Sequence, residues 1–169
     1  LGNRLRAPLG TKVGSISNVT IENVKAEGPY VPYKIIPWNY LTYKANETVQ
    51  KPWSLLWTEG DAPEDAWQTT SNICGLKDRP LKNISLKNVD LQVDGGASTY
   101  SAVVPERADG YPEVYVYGKI LPASGIYFRY VDGLRLENLK IGVYRADVRE
   151  KLVFQNVKGL EIINKEITQ

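Results

Sequence analysis

Four stretches of the chain repeat one pattern: an apolar residue, an Asn two positions later, another apolar residue directly after it, and alternation on either side. They span 16–24 (ISNVTIENV), 81–89 (LKNISLKNV), 131–139 (VDGLRLENL) and 152–160 (LVFQNVKGL). A unit that recurs along a chain, with each copy too short to bury its own apolar face, is the signature of a stacked solenoid. The pattern predicts an all-β chain built coil upon coil, in which a copy becomes stable only when its neighbours cover it.

Within each copy the period is two, the period of an extended strand whose side chains point alternately to opposite faces. Ile16, Val19, Ile21 and Val24 can share a face only if the chain bends between them, and Asn18 and Asn23 stand where bends are needed. Asn tolerates left-handed backbone geometry better than most residues. Each Asn is therefore expected at a corner between short strands. In a parallel stack such corners superpose, and their amides can bond along the stack as a ladder. Asn23, Asn88, Asn138 and Asn156 are the candidates for one ladder. A single Asn of this kind would equally well punctuate an ordinary antiparallel strand. Recurrence in the same register across four copies favours the solenoid.

The residue inventory narrows the chemistry. The 169 residues suit one domain, Tyr occurs 11 times and Trp 4 times, and His is absent. Without His, nucleophilic catalysis by Ser-His or Cys-His pairs and zinc sites built on His are excluded within the chain. Cys74 is the single cysteine, which excludes an internal disulfide framework, and its apolar surroundings suit a small buried filler. The net charge of +2 is spread over mixed charges with no basic stripe, so nucleic acid is not an expected partner. No leader, membrane span or lipidation motif is visible, so no membrane partner is expected. Sequons begin at Asn18, Asn46 and Asn83; they suit glycans on exposed loops, but Asn18 and Asn83 also belong to the corner pattern.

Two segments break the repeat. Residues 27–70 form an irregular insertion rich in Pro and aromatic residues, including Trp38, Trp53, Trp57 and Trp67, with acidic Glu59, Asp61, Glu64 and Asp65. A long loop in a repeat protein usually projects from one face and carries binding surface. Its aromatic rings suit the C–H face of a sugar; the alternative, the commoner use of buried aromatics, is a plug against the side or end of the solenoid. The second irregular loop, 95–122, contains Glu106 and Glu113, each after a Pro. Paired carboxylates are the usual tools of glycosidic cleavage, and a role in anchoring the loop is the alternative for both.

The stretch 71–76 (SNICGL), leading to 80–89 (PLKNISLKNV) and Gly95-Gly96, followed by 104–106 (VPE), 111–113 (YPE), Tyr117-Gly118 and 121–130 (LPASGIYFRY), resembles the late coils of polygalacturonase-like glycoside hydrolases (family 28). The likeness covers about the last 100 residues, and the Asn corners extend it to the start. It implies a right-handed parallel β-helix (solenoid), with residues 1–169 as the C-terminal part of one such domain carrying long aromatic loops. The family's catalytic Asn-Thr-Asp, Asp-Asp and Gly-His-Gly motifs are not in this sequence. Its Arg-Ile-Lys motif, which grips the acidic sugar, is matched by Arg4, Leu5 and Arg6 ahead of the first repeat. By that resemblance Arg4 and Arg6 are substrate-carboxylate ligands, a task suited to guanidinium forks; two solvated charges are the plain alternative. The family's Arg-His near the final coils stands here as Arg129-Tyr130.

The resemblance implies the C-terminal segment of a hydrolase that cleaves uronic-acid-containing, pectin-like polysaccharide by inverting acid/base chemistry, without metal or other cofactor. The catalytic aspartates would lie on polypeptide upstream of Leu1, in missing N-terminal coils or a separate chain, and the enzyme would be extracellular or periplasmic. Alone, the chain would expose an uncapped coil and would be poorly soluble or pair with itself. The alternative is a non-catalytic carbohydrate-binding or structural β-helix, since fold alone never fixes activity. A lyase on the same scaffold would want clustered acidic Ca²⁺ ligands, and no such spacing stands on the repeated strands.

Overall fold

The computed structural model describes residues 1–4, 8, 10–27, 70–106, 108 and 120–167, and among them every regular element is a β-strand. The strands are β1 (Ser17–Glu27), β2 (Ser71–Cys74), β3 (Leu81–Gly95), β4 (Ala123–Arg145) and β5 (Glu150–Ile167). All of them pair in parallel in one curled sheet. The order is β1-β3-β4-β5, with β2 pairing the first part of β4. Since β2 and β3 lie against successive parts of β4, they act as one interrupted strand, with the excursion 75–80 between them. The chain start repeats this arrangement in part: Gly2 bridges to Cys74 at the end of β2, and β1 pairs with β3.

The repeats align in register. Val19, Ile84, Leu134 and Leu160 form one column, and Ile21, Leu86, Leu136 and Ile162 the next. Ile73, Phe128 and Phe154 make another, in which the two Phe rings stack at 5.2 Å and 12°. Parallel pairing places neighbours about 4.8 Å apart, so identical positions touch and each apolar column becomes a strip of core. Burial is deepest on β3 and β4, where Leu81, Phe128, Val131, Leu136 and Ile141 are sealed. It fades toward the edges, and Leu160 on β5 is 41% exposed.

The long strands curl because they bend at left-handed residues. Asn18, Asn23, Asn83, Asn88, Asn138, Asn156 and Asn164 all have φ between 51° and 58°. An amide ladder runs along one row of bends: Asn88 donates to Asn23 at 3.0 Å, Asn138 to Asn88 at 2.8 Å and Asn164 to Asn138 at 3.2 Å. The fourth rung is thus Asn164 and not Asn156. The register decides this, since Leu139 lies opposite Lys165, whereas Val131 lies opposite Val157 and so sets Asn156 beside Tyr130, another left-handed residue. A second row starts with Asn83 donating to Asn18 at 2.9 Å and continues as Gly133 and Gly159, both at positive φ. At Gly133 a Cβ would come within 3.0 Å of the Asn83 side-chain oxygen, so glycine suits both the bend and the close approach.

The outward face carries charges in matching columns. Arg135 bonds Glu161 at 2.8 Å and Glu137 at 3.1 Å, and Lys87 approaches Glu137 at 3.8 Å. Such exposed pairs are worth under ~1 kcal/mol each. They serve register more than stability.

The aromatic insertion with its acidic patch, Arg6 and Glu113 lie outside the described residues.

Candidate functional site

Alternation sends Ile73, Phe128 and Phe154 into the core, and therefore sends Cys74, Tyr127, Arg129, Val153 and Gln155 to the opposite, outward side. There, part of the segment between β3 and β4 folds over them. Val104 and Leu121 pack with Cys74, Ala123 and Tyr127, so this patch of the outward face is dry. Cys74 is fully buried, its Sγ 3.8 Å from the Tyr127 carbonyl oxygen, in keeping with a filler.

Arg129 is the pin of this arrangement. Although outward-facing it is only 2% exposed, and its guanidinium donates to the carbonyls of Val104 at 2.8 Å and Pro105 at 3.1 Å. The same group lies over the rings of Tyr127 and Tyr130, 5.8 and 5.7 Å from their centroids. Carbonyl acceptors and ring faces together stabilise a cation that burial would otherwise penalise. Next to Pro105 stands Glu106, whose carboxylate accepts the backbone N–H of Lys77 at 2.7 Å. Glu106 is thus an anchor between the two excursions.

Tyr127 donates its hydroxyl hydrogen to the Gln155 side-chain oxygen. Burial pushes its phenol up to about 12, with the nearby Arg129 charge opposing part of that rise. A raised phenol pKa stabilises the fold fully below the ordinary value of 10, and the contribution is lost as pH rises through about 12. Alkaline unfolding should therefore steepen in that window. Tyr127→Phe should remove that component from a plot of urea midpoint against pH, while costing ~1 kcal/mol at neutral pH for the lost bond. An identical alkaline slope in the variant would show that the phenol does not contribute.

Arg4 lies at the rim of the same face. Its Nη1 donates to the carbonyls of Asn3 at 2.7 Å and Cys74 at 3.2 Å, and Cys74 is the register partner of Arg129. Cys74 thus has Arg4 on its carbonyl and Arg129 as its neighbour on β4. Gly2 makes room for this: a Cβ there would stand 3.2 Å from Arg4 Nη1 and 2.9 Å from the Cys74 carbonyl oxygen. Asn3 fixes the approach by donating to the Arg79 carbonyl at 2.7 Å.

A second buried polar cluster closes the turn between β4 and β5. Arg149 makes a bidentate pair with Asp147, Nε to Oδ1 at 2.9 Å and Nη2 to Oδ2 at 2.8 Å, and also donates to Thr70 Oγ1 and the Leu121 carbonyl. Burial by itself would raise the Asp147 carboxyl, but hydrogen bonds from the Arg149 side chain and from the Arg149 and Ala97 backbone N–H groups outweigh it and hold it below its ordinary value. Every polar arm of this cluster is spent on the fold.

Among the described residues, no three of the metal-ligating side chains His, Cys, Asp and Glu come together, and no helix is long and apolar enough to cross a membrane. Of the residues the sequence singled out, the structure ties Arg4 to the Cys74 carbonyl and gives Glu106 a structural bond. Tyr127, Gln155 and the Asp147–Arg149 pair were not anticipated. For Tyr127 and Arg129 the signal was present: strict alternation about Phe128 puts both on the outward face.

Comparison with protein-family models, with curated proteins and with solved structures finds no match to this chain.

Proposed function

We propose that the chain forms coils of a right-handed parallel β-helix and belongs to a polysaccharide-processing protein of the polygalacturonase-like kind, in which it supplies substrate-carboxylate binding. The observation that carries this reading is the position of Arg4, held by backbone carbonyls on the outward side of a parallel, in-register sheet. A guanidinium held through Nη1 is pre-oriented, so little side-chain freedom is lost when its positive charge meets a uronate carboxylate. Arg6, two positions on, is the second ligand that the sequence resemblance supplies. On this reading, acid/base aspartates come from polypeptide other than this chain, and the protein meets its polymer outside the cytoplasm. The resemblance implies a reaction that needs no metal or other cofactor.

The test is titration calorimetry of the chain with a galacturonate trimer and with its neutral galactose counterpart. The acidic trimer should bind more tightly, and Arg4→Ala should weaken it about tenfold, the scale of one charged hydrogen-bonding partner. Equal affinity for the acidic and neutral trimers, or no loss in the variant, would remove the uronate reading.

One observation favours a second reading, a non-catalytic carbohydrate-binding or structural module. Glu106 and Asp147, the carboxylates nearest the outward patch and the β4–β5 turn, are both committed to backbone or ion-pair partners that hold the fold.

A further inference from the structure

The outward charges of the sheet follow a rule from strand to strand. In register, Glu22 faces Lys87, which faces Glu137. Lys25 faces Asp90, then Lys140, then Glu166. Lys82 faces Asp132, then Lys158, and Arg135 faces Glu161. Wherever two charges are neighbours in these columns, their signs are opposite. Like charges directly opposite one another destabilise paired strands and unlike charges stabilise them, so the columns act as a code for which strand fits beside which.

β1 pairs with β3 along one edge, and no described strand lies along the other. That outer edge is otherwise ready for pairing. Val19, Ile21 and Val24 are only partly buried there, and Glu22 and Lys25 are exposed. The amide rows have a uniform direction: each Nδ2 points to the Oδ1 of the strand nearer β1. Asn18 and Asn23 spend their oxygens toward β3, which turns their NH₂ groups to the outer edge.

We propose that the outer edge of β1 is a docking surface for one further parallel strand. That strand carries a cation opposite Glu22, an anion opposite Lys25, amide oxygens opposite Asn18 and Asn23, and apolar residues opposite Val19, Ile21 and Val24. The inference rests on the observed pairing of β1 with β3 and stands whether or not the carbohydrate reading does. β3 itself has this chemistry, presenting Lys87, Asp90, Asn83, Asn88, Ile84, Leu86 and Val89 at those positions. The code also says where such a strand does not belong. On the outer edge of β5 it would set Lys82 against Lys158, Asp90 against Glu166, and an apolar Val against Lys165, which ends the Val24–Val89–Leu139 column with a charge. An inward-register charge of this kind guards an edge against further pairing.

The probe is a capped peptide copying residues 81–92, titrated by fluorescence anisotropy into the full chain at low ionic strength. A partner peptide carries Lys87→Glu and Asp90→Lys. The copy should bind saturably, the reversed peptide should bind at least about fivefold more weakly, the scale of two exposed cross-strand pairs changing sign, and added salt should shrink the difference. A chain carrying E22K and K25E should reverse the preference; the comparison of the two peptides on the unaltered chain needs no variant to fold. No binding of the copy, equal binding of both peptides, or a preference unaffected by salt would each overturn the proposal. So would a concentration-dependent oligomer dispersed by E166K, which would identify the occupant as β5 of a second copy.

Discussion

Arg149→Ala should be among the most damaging single substitutions in this chain, lowering unfolding free energy by ~3–5 kcal/mol, the cost of leaving one member of a buried ion pair unpaired. The Arg149 and Asp147 side chains are 1% and 2% exposed, so water cannot replace the lost guanidinium. The same truncation would also release the Leu121 carbonyl and Thr70, whose hydroxyl donates to the Ala123 carbonyl. It therefore loosens the entry to β4 and the turn into β5 together. Urea unfolding of Arg149→Ala, Asp147→Asn and the double variant would check this: the two substitutions should be far from additive. The pair also sets an acid limit. A carboxyl held below its ordinary 3.8 contributes fully above that value, and its contribution is lost as pH falls through the folded-state value. Acid destabilisation below about pH 4 should thus be shallower in Asp147→Asn. Loss of under ~1 kcal/mol in Arg149→Ala would mean that the turn is held by its backbone alone.

Phe128→Ala should cost a comparable ~3–5 kcal/mol. The ring is fully buried between Ile73 and the stacked Phe154, and neither neighbour can fill the space without shifting its own strand out of register. Position along a column should matter as much as residue type. Leu134 and Leu160 are register partners, yet Leu134 is 1% exposed and Leu160 41%. Leu134→Ala should therefore fall in the ~2–5 kcal/mol range for core leucines, and Leu160→Ala well below it. Thermal or urea midpoints would rank them. Equal losses at the two sites would show that β5 is covered by another layer in solution.

Much of this architecture was legible because the same residue types do the same work in each copy. Alternation named the buried face, and Asn was expected at bends because few other residues accept φ near +55°, where seven of them now stand. The misassigned rung shows the limit of that reading. Asn156 and Asn164 both bend the last strand, and choosing between them needs the register of β4 against β5, which depends on how a non-repeating Tyr130 and Gly133 are accommodated. The cover over Arg129 and the Arg149–Asp147 clamp were not legible for a different reason. Each depends on segments such as 97–106 and 120–122 folding back over the sheet, and irregular chain leaves no periodic trace of where it returns. Arg4 was singled out by resemblance, whereas its tether to the Cys74 carbonyl required the bridge between Gly2 and Cys74.

The unequal reach of the rungs sets an order of assembly. Partnered amides are 65 residues apart between β1 and β3, 50 between β3 and β4, and only 26 between β4 and β5. Closing the longest of these loops costs about 0.8 kcal/mol more chain entropy than closing the shortest. Non-local parallel pairings are slow to form, so the β4–β5 pair is the economical nucleus, and growth runs from the C-terminal end toward the N-terminal one. β1, joining last across the widest gap, is also the first strand to fray.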